Sequence, residues 1–267
     1  MEQLTALGTG YAVATKCYTT CFTISSGQEH FMIDTGGGNG VLTNLEKAGI
    51  AVSQVHHIFL SHRHTDHVLG AVWMLRMVGH GMEKGSYQGQ LHLYCHQEIA
   101  DGLLQMCKFM LPGRLLPLFG QRIIFHCLAE GLSFDILGRK TTFFDTHSKK
   151  TLQYGVTIAL QNGKTFTYLG DEPYREQCAA YAQGVDYLMH EAMCLESQDA
   201  QYHPHKIQHS TVKDAAQCAA ALQVKNLILH HTEDTRLEQR KQAYTAEAQQ
   251  YFSGGVYVPD DLDVIGL

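Results

Sequence analysis

Four side chains able to ligate metal fall within six residues of the segment FLSHRHTDHVLG: His62, His64, Asp66 and His67. Upstream, VHHIFL (55–60) has the branched and aromatic run of a buried strand ending at Ser61. Downstream, HVLGAVWMLRMVG (67–79) repeats apolar residues at helical spacing. The chain must therefore turn from strand to helix at the cluster, which is where α/β folds build their sites. Imidazoles at 62 and 64 can point to one side of an extended loop, while Asp66 and His67 open the helix and turn toward a second point. One motif can thus feed two ions, whereas a lone histidine such as His30 or His126 reads as packing.

The same alternation of strand and helix runs through the chain. LTALGTG, CFTISSG and HFMIDTGGG read as short strands broken by glycine, and VLTNLEKAGI (41–50) as a helix. LHLYC (91–95) resumes as a strand, and the very apolar helical stretch 100–119, interrupted at Pro112 and Gly113, reads as core plus a dimer face, with a mobile lid as the alternative. In the second half RIIFHCLAE, LSFDILGRKTTFFDTHS, TLQYGVTIAL and KTFTYLGDE are strand-like. Residues 172–184 are expected as a helix, VDYLMHEA as a strand, and STVKDAAQCAAALQ (210–223) as an amphipathic helix with Thr211 and Asp214 spaced as a capping box. NLILHH is a strand delivering His231 at its end. The expected fold class is α/β, a strand-rich sandwich flanked by helices, in a single domain over 1–267.

Composition narrows the function. At 45% hydrophobic residues over 267 positions the chain can bury a large core, and a net charge of -6 offers no global basic field for nucleic acid. Seventeen histidines against one Trp favour metal binding and proton transfer. Eight scattered cysteines and a start without a signal-peptide pattern lead to a reduced, cytoplasmic setting as the expectation, and no apolar window is long enough for a membrane span. Cys17 and Cys21 cannot complete a tetrahedral site and read as inert thiols. His203 and His205 read as a polar loop or the pocket mouth, and His230 should face away from His231.

Two ions need further ligands, and strand ends supply them: His147 after TTFFDT, Asp171 after TYLG, and His231. The counting assigns His62, His64 and His147 to one ion, Asp66, His67 and His231 to the other, and Asp171 as a bridging carboxylate. Nitrogen and oxygen donors with open positions suit two divalent ions, zinc first, with manganese or iron also able to fit.

In this order LGTG, MIDTGGG, SHRHTDHVLG, DTHS, YLGDE, LMHEA, QHSTVKDAAQCAA and LILHH resemble the metallo-β-lactamase superfamily, and within it the ribonuclease Z and phosphodiesterase branch. The resemblance covers nearly the whole chain and implies an αββα sandwich of two mixed β-sheets flanked by helices. It implies a metal-bridging water or hydroxide attacking phosphorus in line, with Asp66 able to accept the water proton. His209, held by Glu191 of the His-Glu-Ala segment, is then placed to protonate the leaving oxygen. The tRNA-processing enzymes of that branch resemble one another in carrying a long arm before the GD strand. Here only SKKTLQYGVTIALQNGKTFTYL separates His147 from Gly170. The expected substrate is therefore a small phosphodiester or nucleotide-type molecule, with tRNA doubtful, no membrane partner, and a homodimer as the assembly. The competing readings keep the metals: a lactonase, thioesterase or sulfatase-type hydrolase, or a metal-binding sensor without turnover.

Overall fold

The computed structural model describes residues 2–267, and the chain divides into two compact units. The first comprises residues up to Gly8, Tyr18–Leu128 and Asp261–Gly266; the second comprises Thr9–Cys17, Ala129–Asp260 and Leu267.

In the first unit the strands are β1 (Gln3–Gly8), β2 (Cys21–Ser26), β3 (Glu29–Ile33), β4 (Val55–Phe59), β5 (Leu91–Cys95) and β6 (Ile123–Cys127), and the helices are α1 (Gly40–Lys47), α2 (Thr65–Lys84) and α3 (Gln97–Met110). β1, β2 and β3 are joined antiparallel, whereas β3 to β6 run parallel, as crossovers through α1, α2 and α3 require. β5 shows how the core forms. Leu91, Leu93 and Cys95 alternate onto one face and pack with Val68, Leu75 and Val78 of α2 and Leu103 of α3. Each such aliphatic side chain contributes about 1.5–3 kcal/mol on burial.

The second unit contains β7 (Ser133–Ile136), β8 (Arg139–Asp145), β9 (Tyr154–Ala159), β10 (Thr165–Tyr168), α4 (Ala179–Ala182), β11 (Tyr187–Glu191), α5 (Asp199–Tyr202), α6 (Val212–Ala221), β12 (Asn226–His230), α7 (Leu237–Ala248) and β13 (Gly255–Tyr257). Its sheet runs β13-β12-β11-β10-β9-β8-β7, parallel on the β10 to β13 side and antiparallel on the other. The last strand, β14 (Val264–Gly266), returns to the first unit and pairs antiparallel with β1. Each unit is thus a mixed seven-stranded sheet carrying helices, which is the expected pair of mixed sheets flanked by helices.

Two local expectations, at 172–184 and in LSFDILGRKTTFFDTHS, need adjustment, whereas the interrupted helical stretch at 100–119 is present. Residues 172–184 hold only a 3-10 turn (Glu176–Cys178) and the single turn of α4. The Glu172 carboxylate is engaged by the loop at 148–150 rather than opening a helix. The stretch 100–119 is α3 followed by a 3-10 segment, with Leu103, Cys107, Leu111 and Leu115 buried in the core and Phe109 and Met110 exposed. LSFDILGRKTTFFDTHS is a hairpin, β7 and β8, turning at Leu137 and Gly138, both in the left-handed region. The capping box is present: the Thr211 hydroxyl accepts from the Asp214 amide and the Asp214 carboxylate accepts the Thr211 N–H at 2.8 Å. Among the described residues no helix is long and apolar enough to cross a membrane.

Helix α2 is pinned against the turn after β3. The Thr35 amide donates to the His67 carbonyl at 2.9 Å and the Gly70 amide to the Gly36 carbonyl at 2.9 Å. A Cβ at Gly70 would stand 2.0 Å from the Thr35 carbonyl oxygen. Alanine normally gains about 0.5–1 kcal/mol over glycine inside a helix, but here the backbone contact reverses the sign. Gly70→Ala is expected to lower unfolding free energy by about 2 kcal/mol, read as a lower urea midpoint at unchanged slope. A stability equal to or above wild type would show that this contact relaxes freely.

Candidate metal centre

The first donor group lies where β4 hands over to α2. His64 is the N-cap of α2, so Asp66 and His67 occupy its first turn, and the His67 and Val68 amides donate to the His64 carbonyl at 3.1 Å each. His62, Asp66 and His67 are buried. The His62 Nε2 and His64 Nδ1 atoms stand 2.9 Å apart, and His67 Nε2 lies 3.2 Å from Asp66 Oδ2. The His62 ring centroid is 4.5 Å from that of His64 and 4.2 Å from that of His67. The motif therefore converges in space as its spacing suggests.

What orients the group was not read from the sequence. Asp34, fully buried at the end of β3 in MIDTGGG, accepts the Ser61 amide and hydroxyl at 2.8 Å each and His67 Nδ1 at 2.8 Å. By taking the Nδ1 proton it fixes the His67 tautomer and leaves Nε2 as the donor nitrogen, which is how carboxylates behind ligating histidines commonly act. Burial opposes a charge on His67, but Asp66 and Asp34 outweigh it and hold its pKa well above the ordinary value. Asp34 adopts φ of 53°, in the left-handed region that non-glycine residues seldom occupy. The signal in the sequence was an acid directly after a buried strand; its partners, 27 and 33 residues away, were not legible.

The second donor group lies at the strand ends of the second unit. One donor atom each from Asp171, His209 and His231 lies within 4.8 Å of the others, all three residues buried. Asp171 follows Gly170, whose φ of 82° and lack of a Cβ admit the Gln153 side chain: a Cβ would stand 2.6 Å from Gln153 Oε1. Gln153 Nε2 donates to Asp171 Oδ1, while its Oε1 accepts from the Thr146 hydroxyl at 3.2 Å, so a buried amide sets the carboxylate. His231, with φ of 57°, places Nε2 3.7 Å from Asp171 Oδ2 and stacks on His209 with centroids 5.2 Å apart. Backbone strain of this kind gathers where a site over-determines the chain.

Behind His209 stands Glu191, fully buried at the end of β11. Its Oε1 accepts the Ser210 amide and its Oε2 lies 3.6 Å from His209 Nδ1. On the other side of the ring, His209 Nε2 meets the Lys150 ammonium at 3.2 Å. Burial opposes a charge on His209, yet Glu191 and Asp171 raise its pKa above the ordinary value against the opposing push of Lys150. Lys150 is held by a loop that Glu172 anchors: the Glu172 carboxylate accepts from the Ser148 hydroxyl and from the Lys149 and Lys150 amides, the latter two at 3.0 and 3.3 Å. Neither Lys150 nor Glu172 was singled out from the sequence, because a basic pair after DTHS carries no signal of its own.

His147 sits in the turn after β8 with φ of 55°, its amide donating to Asp145 Oδ1 at 2.7 Å and its imidazole exposed. His205 is engaged by Asp199 and Asp214 at 3.1 and 2.7 Å on the outer rim of α6. His230 is buried against the Tyr168 ring, centroids 5.3 Å apart. Burial drives the Cys21 thiol well above its ordinary pKa, in keeping with an unreactive side chain. The donor chemistry of both groups, buried imidazoles and carboxylates set by hydrogen bonds from behind, fits divalent metal ions.

Comparison with known proteins agrees with this chemistry. The chain is 25% identical over 281 residues to a ribonuclease Z of Synechocystis sp., covering 86% of this chain and 82% of that protein. Among solved structures, it resembles the metallo-beta-lactamase fold protein YhfI of Bacillus subtilis, with a TM-score of 0.80, 19% identity and coverage of 99% of this chain and 98% of that one. It also resembles a diphosphatase of the PhnP family, with a TM-score of 0.76, 17% identity and coverage of 100% and 98%. The family profile described as the Beta-lactamase superfamily domain matches residues 30–232, a span that includes both donor groups. With that match, the chain belongs to the beta-lactamase superfamily and has its metallo-β-lactamase fold.

Proposed function

We propose that this protein is a dinuclear metal-dependent phosphodiesterase acting on a small phosphodiester or nucleotide-type substrate, with residues 1–267 working as one hydrolase domain. The observation that carries the reading is the Asp171, His209 and His231 cluster with Glu191 behind His209, since it joins metal donors to a positioned proton donor. The ribonuclease Z relative and the diphosphatase of similar fold support phosphoryl chemistry. His62, His64 and His147 would hold one ion and Asp66, His67 and His231 the other, with Asp171 between them; zinc is the first expectation, manganese or iron the next. When bound, the ions would supply a hydroxide nucleophile at neutral pH and charge for the phosphoryl oxygens.

The chain's own groups account for the rest. Asp66 accepts the proton of the attacking water. Glu191 holds His209 through Nδ1, so that Nε2 delivers a proton to the leaving oxygen. Lys150, beside that nitrogen, offers its ammonium to a phosphoryl oxygen arriving there. In place of a tRNA-gripping arm, the segment between His147 and Gly170 is taken up by the β9 and β10 strands and their short turn.

The test is a direct comparison on purified, metal-analysed protein. Hydrolysis of bis(p-nitrophenyl) phosphate is expected together with poor or no 3′ processing of precursor tRNA. Site-selective cleavage of the tRNA precursor would overturn the substrate assignment. Turnover confined to lactones, thioesters or sulfate esters would replace the phosphodiesterase reading, and stoichiometric metal with no turnover on any of them would leave a sensor.

A further inference from the structure

Helix α2 carries more than metal donors. Seven residues after Asp66, two turns along the helix and within about 20° of the same face, stands Trp73. It is the single tryptophan of the chain, and it is 42% exposed. Three residues further is Arg76, half-buried, and among the described residues no hydrogen bond or ion pair engages its guanidinium. Trp73 and Arg76 line a groove of about 460 Å³ together with Gly37, Gly38, Leu69 and Met110. The groove reaches the metal motif: a Cβ at Gly37 would stand 3.6 Å from the Asp66 Cα. Gly38 leaves open space, with nothing within 4 Å of where its Cβ would be.

These features describe a ligand. An exposed indole in an apolar groove takes a flat ring, and a guanidinium without a partner takes an anion, bidentately if the anion is a phosphate. Along α2, Trp73 lies about 10 Å and Arg76 about 15 Å from Asp66 at the rise of a helix. A scissile phosphate at the metal motif, a nucleoside reaching Trp73 and a following phosphate at Arg76 fill that order. We infer that this groove is a substrate subsite for the nucleotide flanking the scissile bond, its base stacked on Trp73 and its distal phosphate on Arg76. The inference rests on the phosphodiesterase reading above and narrows it to short oligonucleotides of at least two units.

Because Trp73 is the only indole, its fluorescence reports on the groove alone. The metal-loaded protein would be titrated with a phosphorothioate-linked diadenylate bearing a terminal phosphate, with adenosine monophosphate and octyl phosphate as comparisons. Saturable quenching by the dinucleotide is expected, at least tenfold tighter than by the monophosphate. By calorimetry Trp73→Ala should weaken binding about 10- to 100-fold, the size of one lost base stack, and Trp73→Phe should restore most of it. Arg76→Ala should weaken it about tenfold or more. Both alanine variants should keep the wild-type metal content and unfolding midpoint, so that the loss of affinity is local to the groove. Absence of quenching, or equal dinucleotide affinity in wild type and both alanine variants, would overturn the subsite, and tighter quenching by octyl phosphate would assign the groove to an apolar chain instead. If diadenylate quenches while bis(p-nitrophenyl) phosphate is not hydrolysed, the groove stands and the reading of the metal centre fails.

Discussion

Asp171→Ala is expected to lose at least one metal ion per chain and to lower phosphodiester hydrolysis by about 10³-fold or more, the scale of several kcal/mol of transition-state charge stabilisation. The reason lies in its surroundings. The carboxylate is buried, receives the Gln153 amide at Oδ1 and presents Oδ2 toward His231, so it is held in place as a donor. Elemental analysis of wild type and variant, prepared alike, decides the matter. A wild type that never exceeds one ion per chain when fully loaded would refute the dinuclear proposal, and a variant retaining two ions would remove Asp171 from the ligand set.

His209→Ala should behave differently from His64→Ala, although both remove an imidazole. His64 is part of the close His62 and His64 pair, so its loss should take metal and activity together. His209 is backed by Glu191 and faces Lys150, so its loss should leave the metal content intact while activity falls about 10²- to 10⁴-fold, as for a removed general acid. The deficit should be large for an alkyl phosphodiester and much smaller for a nitrophenyl ester, whose phenolate departs without a proton. Equal losses on the two substrates would assign His209 to charge stabilisation or positioning. Loss of metal in His209→Ala would make it a ligand, an outcome its closeness to Asp171 and His231 gives physical content.

Much of the architecture was legible because it is local. The alternation in LHLYC, the helical spacing after Asp66 and the box at Thr211 and Asp214 each follow from interactions within a few residues, and each is found in the structure. The helix expected at 172–184 failed for a nonlocal reason. Glu172 and its neighbours serve a loop more than twenty residues upstream, and that contact outweighs helix propensity.

The sequence by itself determined where the HxHxDH cluster sits: the motif is compact, and the strand before it and the helix after it place it at the turn from β4 to α2. Apart from Glu191, the acids and amides behind the donors were decided by tertiary structure alone. Asp34 reaches Ser61 and His67, Gln153 reaches Asp171, and Glu172 carries Lys150 to His209, all through contacts spanning 18 to 59 residues. The left-handed backbone at Asp34, His147 and His231 is likewise invisible in a residue pattern, because no local propensity favours it and only surrounding contacts can hold it. Trp73 and Arg76 were read only as part of the segment 67–79 with apolar residues at helical spacing. That they share a groove with Gly37 and Gly38 depends on how the turn after β3 packs against α2, a matter of backbone approach that Gly70 permits by having no side chain.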